Sequence, residues 1–205
     1  MFSYRILSIF LALAFLLNVG VKAVQPKAKW IWDARGDRPN NPLYFAKTVD
    51  LESTPKAAKL LFTCDNSSTV FVNGKSIGTS VNWNAAVSAD VKKLLKKGGN
   101  MIAAVAHNAN GPAGFVLQLE VTKADGKKVV IVTDDSWRFV DKDPKDLLGE
   151  EINWKMEGFP NGKKPVVVGT IGDDPWGYVF SNGGGSPSAP RPAGIANNTL
   201  RSTDG

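Results

Sequence analysis

Phe115, Leu117, Leu119 and Val121 alternate with Gln118, Glu120 and Thr122. Successive side chains of an extended chain point to opposite faces, so this period of two predicts a strand with one buried and one wet side. Ala124-Asp125-Gly126-Lys127 then separates it from Val129-Val130-Ile131-Val132-Thr133, which predicts a hairpin with Asp-Gly at its tip. A second hairpin is predicted at Val70-Phe71-Val72-Asn73-Gly74-Lys75-Ser76-Ile77-Gly78. A two-residue type I′ loop needs positive φ at both central positions, and Asn73-Gly74 tolerates that at least cost.

The same reading gives strands at Leu43 to Leu51, Ala58 to Cys64 and Ser68 to Val72. In the first, Phe45, Val49 and Leu51 share a face that Lys47 interrupts. Turns are expected at Glu52-Ser53-Thr54-Pro55 and Asp65-Asn66-Ser67, and Val81 to Ala89 reads as a polar loop holding Trp83. Met101 to Ala106 is apolar without alternation, the pattern of a central strand covered on both faces. Asp134-Asp135-Ser136 turns into a short strand at Trp137-Arg138-Phe139, and Val166-Val167-Val168 reads as a final strand. Asp141 to Pro165 has no clear pattern. The one helical signal is Val91, Leu94 and Leu95 at i, i+3 and i+4, ending at Gly98-Gly99-Asn100. Short strands with frequent turns and one short helical turn predict an all-β fold, an antiparallel β-sandwich of the jelly-roll type.

The ends read differently from the middle. Ile6 to Leu17 is apolar, follows Arg5 and precedes Val21-Lys22-Ala23, so residues 1–23 read as a signal peptide cut after Ala23. A retained anchor is the alternative, but roughly 14 apolar residues are short for a span of about 20. Residues 24–180 form the expected sandwich. Residues 181–205, with Gly183-Gly184-Gly185-Ser186-Pro187, read as a tail or linker. The expected location is secreted, periplasmic or cell-surface, with no membrane contact after cleavage.

Charge changes this picture little. The 205-residue chain carries a net charge of +6, and losing Arg5 and Lys22 with the leader lowers it to +4. Lys92, Lys93, Lys96 and Lys97 flank the apolar side of the helical turn and read as a solvated face rather than a nucleic-acid patch. Cys64, the single cysteine, shares a face with Leu60 and Phe62 and reads as a buried, inert thiol.

Candidate chemistry is sparse. His107, the single histidine, follows the buried run without a nucleophile motif nearby and reads as structural. Asp134-Asp135, Glu150-Glu151 and Asp173-Asp174 are adjacent pairs. A glycosidase needs carboxyls about 5 to 9 Å apart across a cleft, whereas neighbours on a strand point apart, so these read as turn formers. Asp33, Asp37 and Asp65 could join a structural calcium site, although no dense calcium-loop motif is present. No other cofactor is expected.

Binding remains. A sugar offers apolar C–H faces and rows of hydroxyls, so its site needs an aromatic platform beside amides or charges. Trp30, Trp32 and Trp83, with Asn82, Asn84 and Asn108, are the candidates. Each tryptophan has core or rim packing as its alternative. Trp30 and Trp32 are two apart, so they should point the same way and close one end of the core or form an aromatic wall.

The order Asp65-Asn66, Val70-Phe71-Val72-Asn73-Gly74-Lys75, Gly78, Trp83, Asp90-Val91, Leu94-Leu95, Lys97-Gly98-Gly99-Asn100-Met101-Ile102-Ala103 and Asp135-Ser136-Trp137-Arg138 resembles a known pattern. It is similar to the galactose-binding-like β-sandwich at the amino end of bacterial alpha-L-rhamnosidases and beta-galactosidase-type glycoside hydrolases. The resemblance runs roughly from Trp30 to Trp176 and implies an accessory domain, with catalysis in a larger separate domain. The expected function is therefore a secreted, non-catalytic module that binds carbohydrate or docks a catalytic neighbour. The detached front end of a glycoside hydrolase and a structural cell-surface domain are the alternatives.

Overall fold

The computed structural model describes residues 27–36, 41–144 and 154–180. The predicted signal peptide, Asp37, Glu150-Glu151 and residues 181–205 lie outside them.

Eleven strands are present among the described residues: β1 Lys29–Trp32, β2 Leu43–Leu51, β3 Ala57–Asp65, β4 Ser67–Val72, β5 Lys75–Ser80, β6 Val87–Asp90, β7 Gly98–His107, β8 Gly114–Thr122, β9 Lys128–Val132, β10 Arg138–Val140 and β11 Val166–Thr170. A 3₁₀ turn spans Lys92–Leu94, and a one-turn helix, α1, spans Trp154–Glu157. The strands form two antiparallel sheets. One has the order β11-β1-β8-β3-β6, with β9 also pairing β8; the other has the order β10-β2-β7-β4-β5. The fold is an all-β sandwich.

The alternation in β8 explains how the layers meet. Phe115, Leu117, Leu119 and Val121 point between the sheets, where they join Leu60, Phe62 and Cys64 of β3. Leu43, Phe45, Ile102, Ala104 and Trp137 close the core from the other side. Phe45 stacks on Phe115 with centroids 5.5 Å apart, and Trp137 meets Phe115 edge-on at 5.9 Å. Aromatic pairs of this kind add to the burial term. β7 is central in its sheet and covered on both faces. Ile102, Ala104 and Ala106 enter the main core, while Met101 and Ala103 pack with Phe159 outside it.

The Asn73-Gly74 turn has φ of +48° and +78°, the positive pair its sequence demands. Asn73 also reaches beyond the hairpin. Its Nδ2 donates to Leu94 O at 2.7 Å and to Asn100 Oδ1 at 3.0 Å, and its Oδ1 accepts from Met101 N at 2.8 Å. Buried Asn100 in turn binds Lys96 N, Lys96 O and Gly98 O. Two side-chain amides thus tie the hairpin, the 3₁₀ turn and the start of β7 together.

Two details depart from the sequence reading. Trp30 and Trp32 do not share a face, because the β1–β11 register shifts between Trp30 and Ile31. The extra residue is Val168 of β11, and a bulge of this kind bends and twists the ladder beside Trp30 and Ile31. Trp32 therefore enters the main core, while Trp30 packs outside it in a cluster with Ala28, Val116, Val132, Trp176 and Val179. The second departure is β6, a strand at Val87–Asp90 that falls partly within the expected polar loop and pairs with β3. Its serine, alanine and aspartate carry little β signal, so pairing with β3 decides its conformation. Lys47 interrupts the buried row of Phe45, Val49 and Leu51 on β2, half-buried and held by Ser136 and by Asp134, 3.7 Å away. Both hairpins otherwise form as expected; the second places Gly126 at φ +86°.

Candidate functional site

Strand pairing gathers several loops at one end of the sandwich. Asp65 at the end of β3 faces Gly114 at the start of β8, and Ser67 at the start of β4 faces His107 at the end of β7. Ser68 faces Ser80, which brings the loop between β5 and β6 to the same end. Asp65, Asn66, Asn82, Trp83, Asn84 and Asn108 therefore belong to one loop end.

Asp65 is only 8% exposed. Its Oδ2 accepts the indole N–H of Trp176 at 2.9 Å, while Oδ1 makes no hydrogen bond among the described residues. Burial pushes its pKa above the usual carboxylate value, and the indole bond partly opposes that shift. A carboxylate held in this way, without an ion pair among the described residues, is poised to accept hydrogen bonds from a ligand. Asn66 beside it is fixed from two sides. Its backbone N–H donates to His107 O at 2.9 Å, and its Oδ1 accepts from Ala109 N at 2.7 Å. Asn108 is buried, and its Nδ2 donates to Gly111 O at 3.4 Å.

The Trp83 loop rests on two buried hydroxyls. Thr63 Oγ1 and Ser80 Oγ both donate to Asn82 O, at 2.9 and 3.3 Å. Asn82 Oδ1 accepts from Asn84 N at 3.2 Å, which tightens the turn around Trp83. Trp83 is half-buried and packs against the outer cluster of Trp30 and Trp176. Those two indoles stack with centroids 4.5 Å apart. The loop therefore presents an aromatic ring on a fixed support.

The six sequence candidates divide on these facts. Trp30 and Trp32 are 0% exposed and offer no ring face, matching the core alternative. Asn108 is also buried. Asn82, Trp83 and Asn84 reach the surface together. Asn73 and Gly74 form the turn assigned to them, toward the other end. The sequence reads Asp65 as a turn residue and a candidate metal ligand, not as a sugar contact, and gives no sign of Trp176, the residue that holds Asp65 in place. No local signal links two residues 111 positions apart.

The other reactive groups are spent elsewhere. Cys64 is buried, and burial pushes its thiol pKa well up, so the thiolate is suppressed. Asp134 and Asp173 accept from the backbone N–H groups of Ser136 and Thr170, as turn formers do. Asp33 is bound by Arg35 at 2.5 Å. Among the described residues, no three His, Cys, Asp or Glu side chains converge, so a cation there would also draw on amide or carbonyl oxygens.

No family model matches the chain. It is 31% identical over 163 residues to an alpha-L-rhamnosidase of Streptomyces avermitilis, covering 74% of this chain and 15% of the relative. The crystal structure of the Streptomyces avermitilis alpha-L-rhamnosidase complexed with L-rhamnose matches with a TM-score of 0.66 and 29% identity, over 75% of this chain and 16% of that one. A lectin from Pleurotus ostreatus in complex with GalNAc matches with a TM-score of 0.63 and 25% identity, over 74% of this chain and 46% of the lectin. The GH78 rhamnosidase of Bacillus sp. GL1 shares the fold, at 20% identity and a TM-score of 0.61, over 76% of this chain and 20% of that one. The chain thus spans about one-seventh of the curated relative that it matches. It carries a galactose-binding-like β-sandwich homologous to part of an alpha-L-rhamnosidase.

Proposed function

We propose that this chain is an exported, non-catalytic module that holds a sugar at the loop end of the sandwich. Trp83 supplies the stacking face; Asp65, Asn66, Asn82 and Asn84 supply acceptors and donors for hydroxyls. The observation that carries the reading is Asp65: a buried carboxylate with one oxygen fixed by Trp176 and, among the described residues, no ion pair and the other oxygen unspent. A buried charge of this kind costs stability, so its presence at a loop end favours a binding role. The matches to part of a rhamnosidase and to a lectin support the same class of function. A calcium ion at Asp65 would add positive charge for hydroxyl oxygens to coordinate. Asp65 Oδ1 suits such an ion, and a thermal melt with and without EDTA tests it.

The test is a glycan array probed with the purified chain. Retention of a neutral glycan is expected, with loss in both Trp83→Ala and Asp65→Asn. No retention by the wild type, or equal retention by both variants, overturns the reading. A second reading follows from the extent of the match: the chain corresponds to about one-seventh of a glycoside hydrolase, so it also suits a docking piece beside a catalytic domain. Co-purification with a catalytic region encoded in the same frame would favour it.

A further inference from the structure

A second depression lies away from the loop end, where β2, β10 and the segment after α1 meet. It is a groove of about 360 Å³, within the size range of small-molecule sites. Ala46, Met101 and Phe159 give it an apolar floor, continuous with the small outer cluster on that sheet. Gly158, at φ +70°, allows the chain to approach this floor closely; a Cβ there would lie 2.8 Å from Met101 Cε.

The walls carry charge of both signs. Lys47 already has a counter-charge in Asp134 at 3.7 Å. Arg138 does not. Its Nη1 donates to the carbonyls of Ser136 and Trp137, at 3.4 and 2.9 Å, which fixes the guanidinium plane. Its Nε and Nη2 make no hydrogen bond among the described residues. Glu157 lines the same groove, is exposed, and forms neither a hydrogen bond nor an ion pair with Arg138 or any other described residue. Charges that line one groove without pairing are left for a ligand that spans them.

We infer that this groove binds a sugar bearing a carboxylate, such as a uronic acid residue of an acidic glycan. The guanidinium fork matches a carboxylate in a two-point bond, which a neutral hydroxyl cannot reproduce. Glu157 and the Thr48 hydroxyl take the ring hydroxyls, and the apolar floor takes the C–H face. The net charge of +4 left once Arg5 and Lys22 go with the leader draws an acidic polymer toward the chain. This site is separate from the loop end and does not depend on it.

The test is NMR titration of the full chain with galacturonic acid, alongside galactose as the neutral control. Galacturonic acid should shift the backbone amides of Thr48, Ser136, Arg138 and Gly158, leaving those of Asn66 and Asn82 in place. Arg138→Gln should weaken this binding by at least about tenfold, and Trp83→Ala should leave it unchanged. Equal response to galactose, shifts confined to the loop end, or no shift at tens of millimolar ligand overturns the inference. If Arg138→Gln fails to fold, the wild-type shift map and the galactose control decide alone. Loss of neutral-glycan binding with this response intact would sink only the loop-end reading.

Discussion

The two ends of the sandwich use similar residues for opposite purposes. At one end, Asn73 and Asn100 spend their amides on each other and on the backbone of Leu94, Lys96, Gly98 and Met101. At the other, the side chains of Asn66 and Asn82 fix loop backbone, while Asp65 keeps one oxygen uncommitted. An amide whose donors and acceptors are all used within the fold contributes to stability and has little left for a ligand. Spacing and residue type alone do not separate these cases. The count of satisfied partners does.

The difference should show most strongly in Asn100→Ala. It strands partners on the hairpin, the 3₁₀ turn and β7, and should lower unfolding free energy by about 2–4 kcal/mol in urea denaturation. Glycan retention by the remaining folded protein should not change. Gly114→Ala comes next. The new Cβ would lie 2.9 Å from the Trp30 ring and 3.3 Å from Trp176, and should destabilise by about 1–3 kcal/mol. Because those rings support Trp83, it should also weaken retention on the glycan array.

Asp65→Asn sharpens the comparison from the other side. Asparagine can still accept the Trp176 indole bond but carries no buried charge. Stability at neutral pH should hold or rise while sugar retention falls. The sign with pH follows. The folded pKa of Asp65 lies above its unfolded value near 3.8, so its favourable contribution is present below that value and lost as pH rises through the folded pKa. The stability of the wild type relative to Asp65→Asn should therefore decline across that window in paired urea melts. Sugar binding that needs ionised Asp65 should grow across the same window. The smallest effect is expected from Lys93→Gln on the exposed side of the 3₁₀ turn: within about 0.5 kcal/mol, with binding unaltered.

Much of the sandwich was legible because its strands bury one face. β8 repeats with period two, and the Asn73-Gly74 pair admits few other conformations. Trp30 and Trp32 misled because the register shift between them depends on pairing with β11, more than 130 residues later in sequence. β6 was hidden for a related reason: its pairing with β3 is tertiary. The candidate site was legible only in its Trp83 loop. Asp65 stood in the sequence as one turn aspartate among several, and its burial depends on Trp176, which arrives from the far end of the fold.

That late arrival sets an order of events. The carboxylate at position 65 is synthesised early, but the indole that fixes it is synthesised 111 residues later. A chain truncated before β11 would still carry the whole Trp83 loop and the Asp65 side chain. It would lack a ring of the cluster against which one packs and the donor that orients the other. Recognition at this end should therefore appear abruptly with chain length, only once the segment through Trp176 has docked.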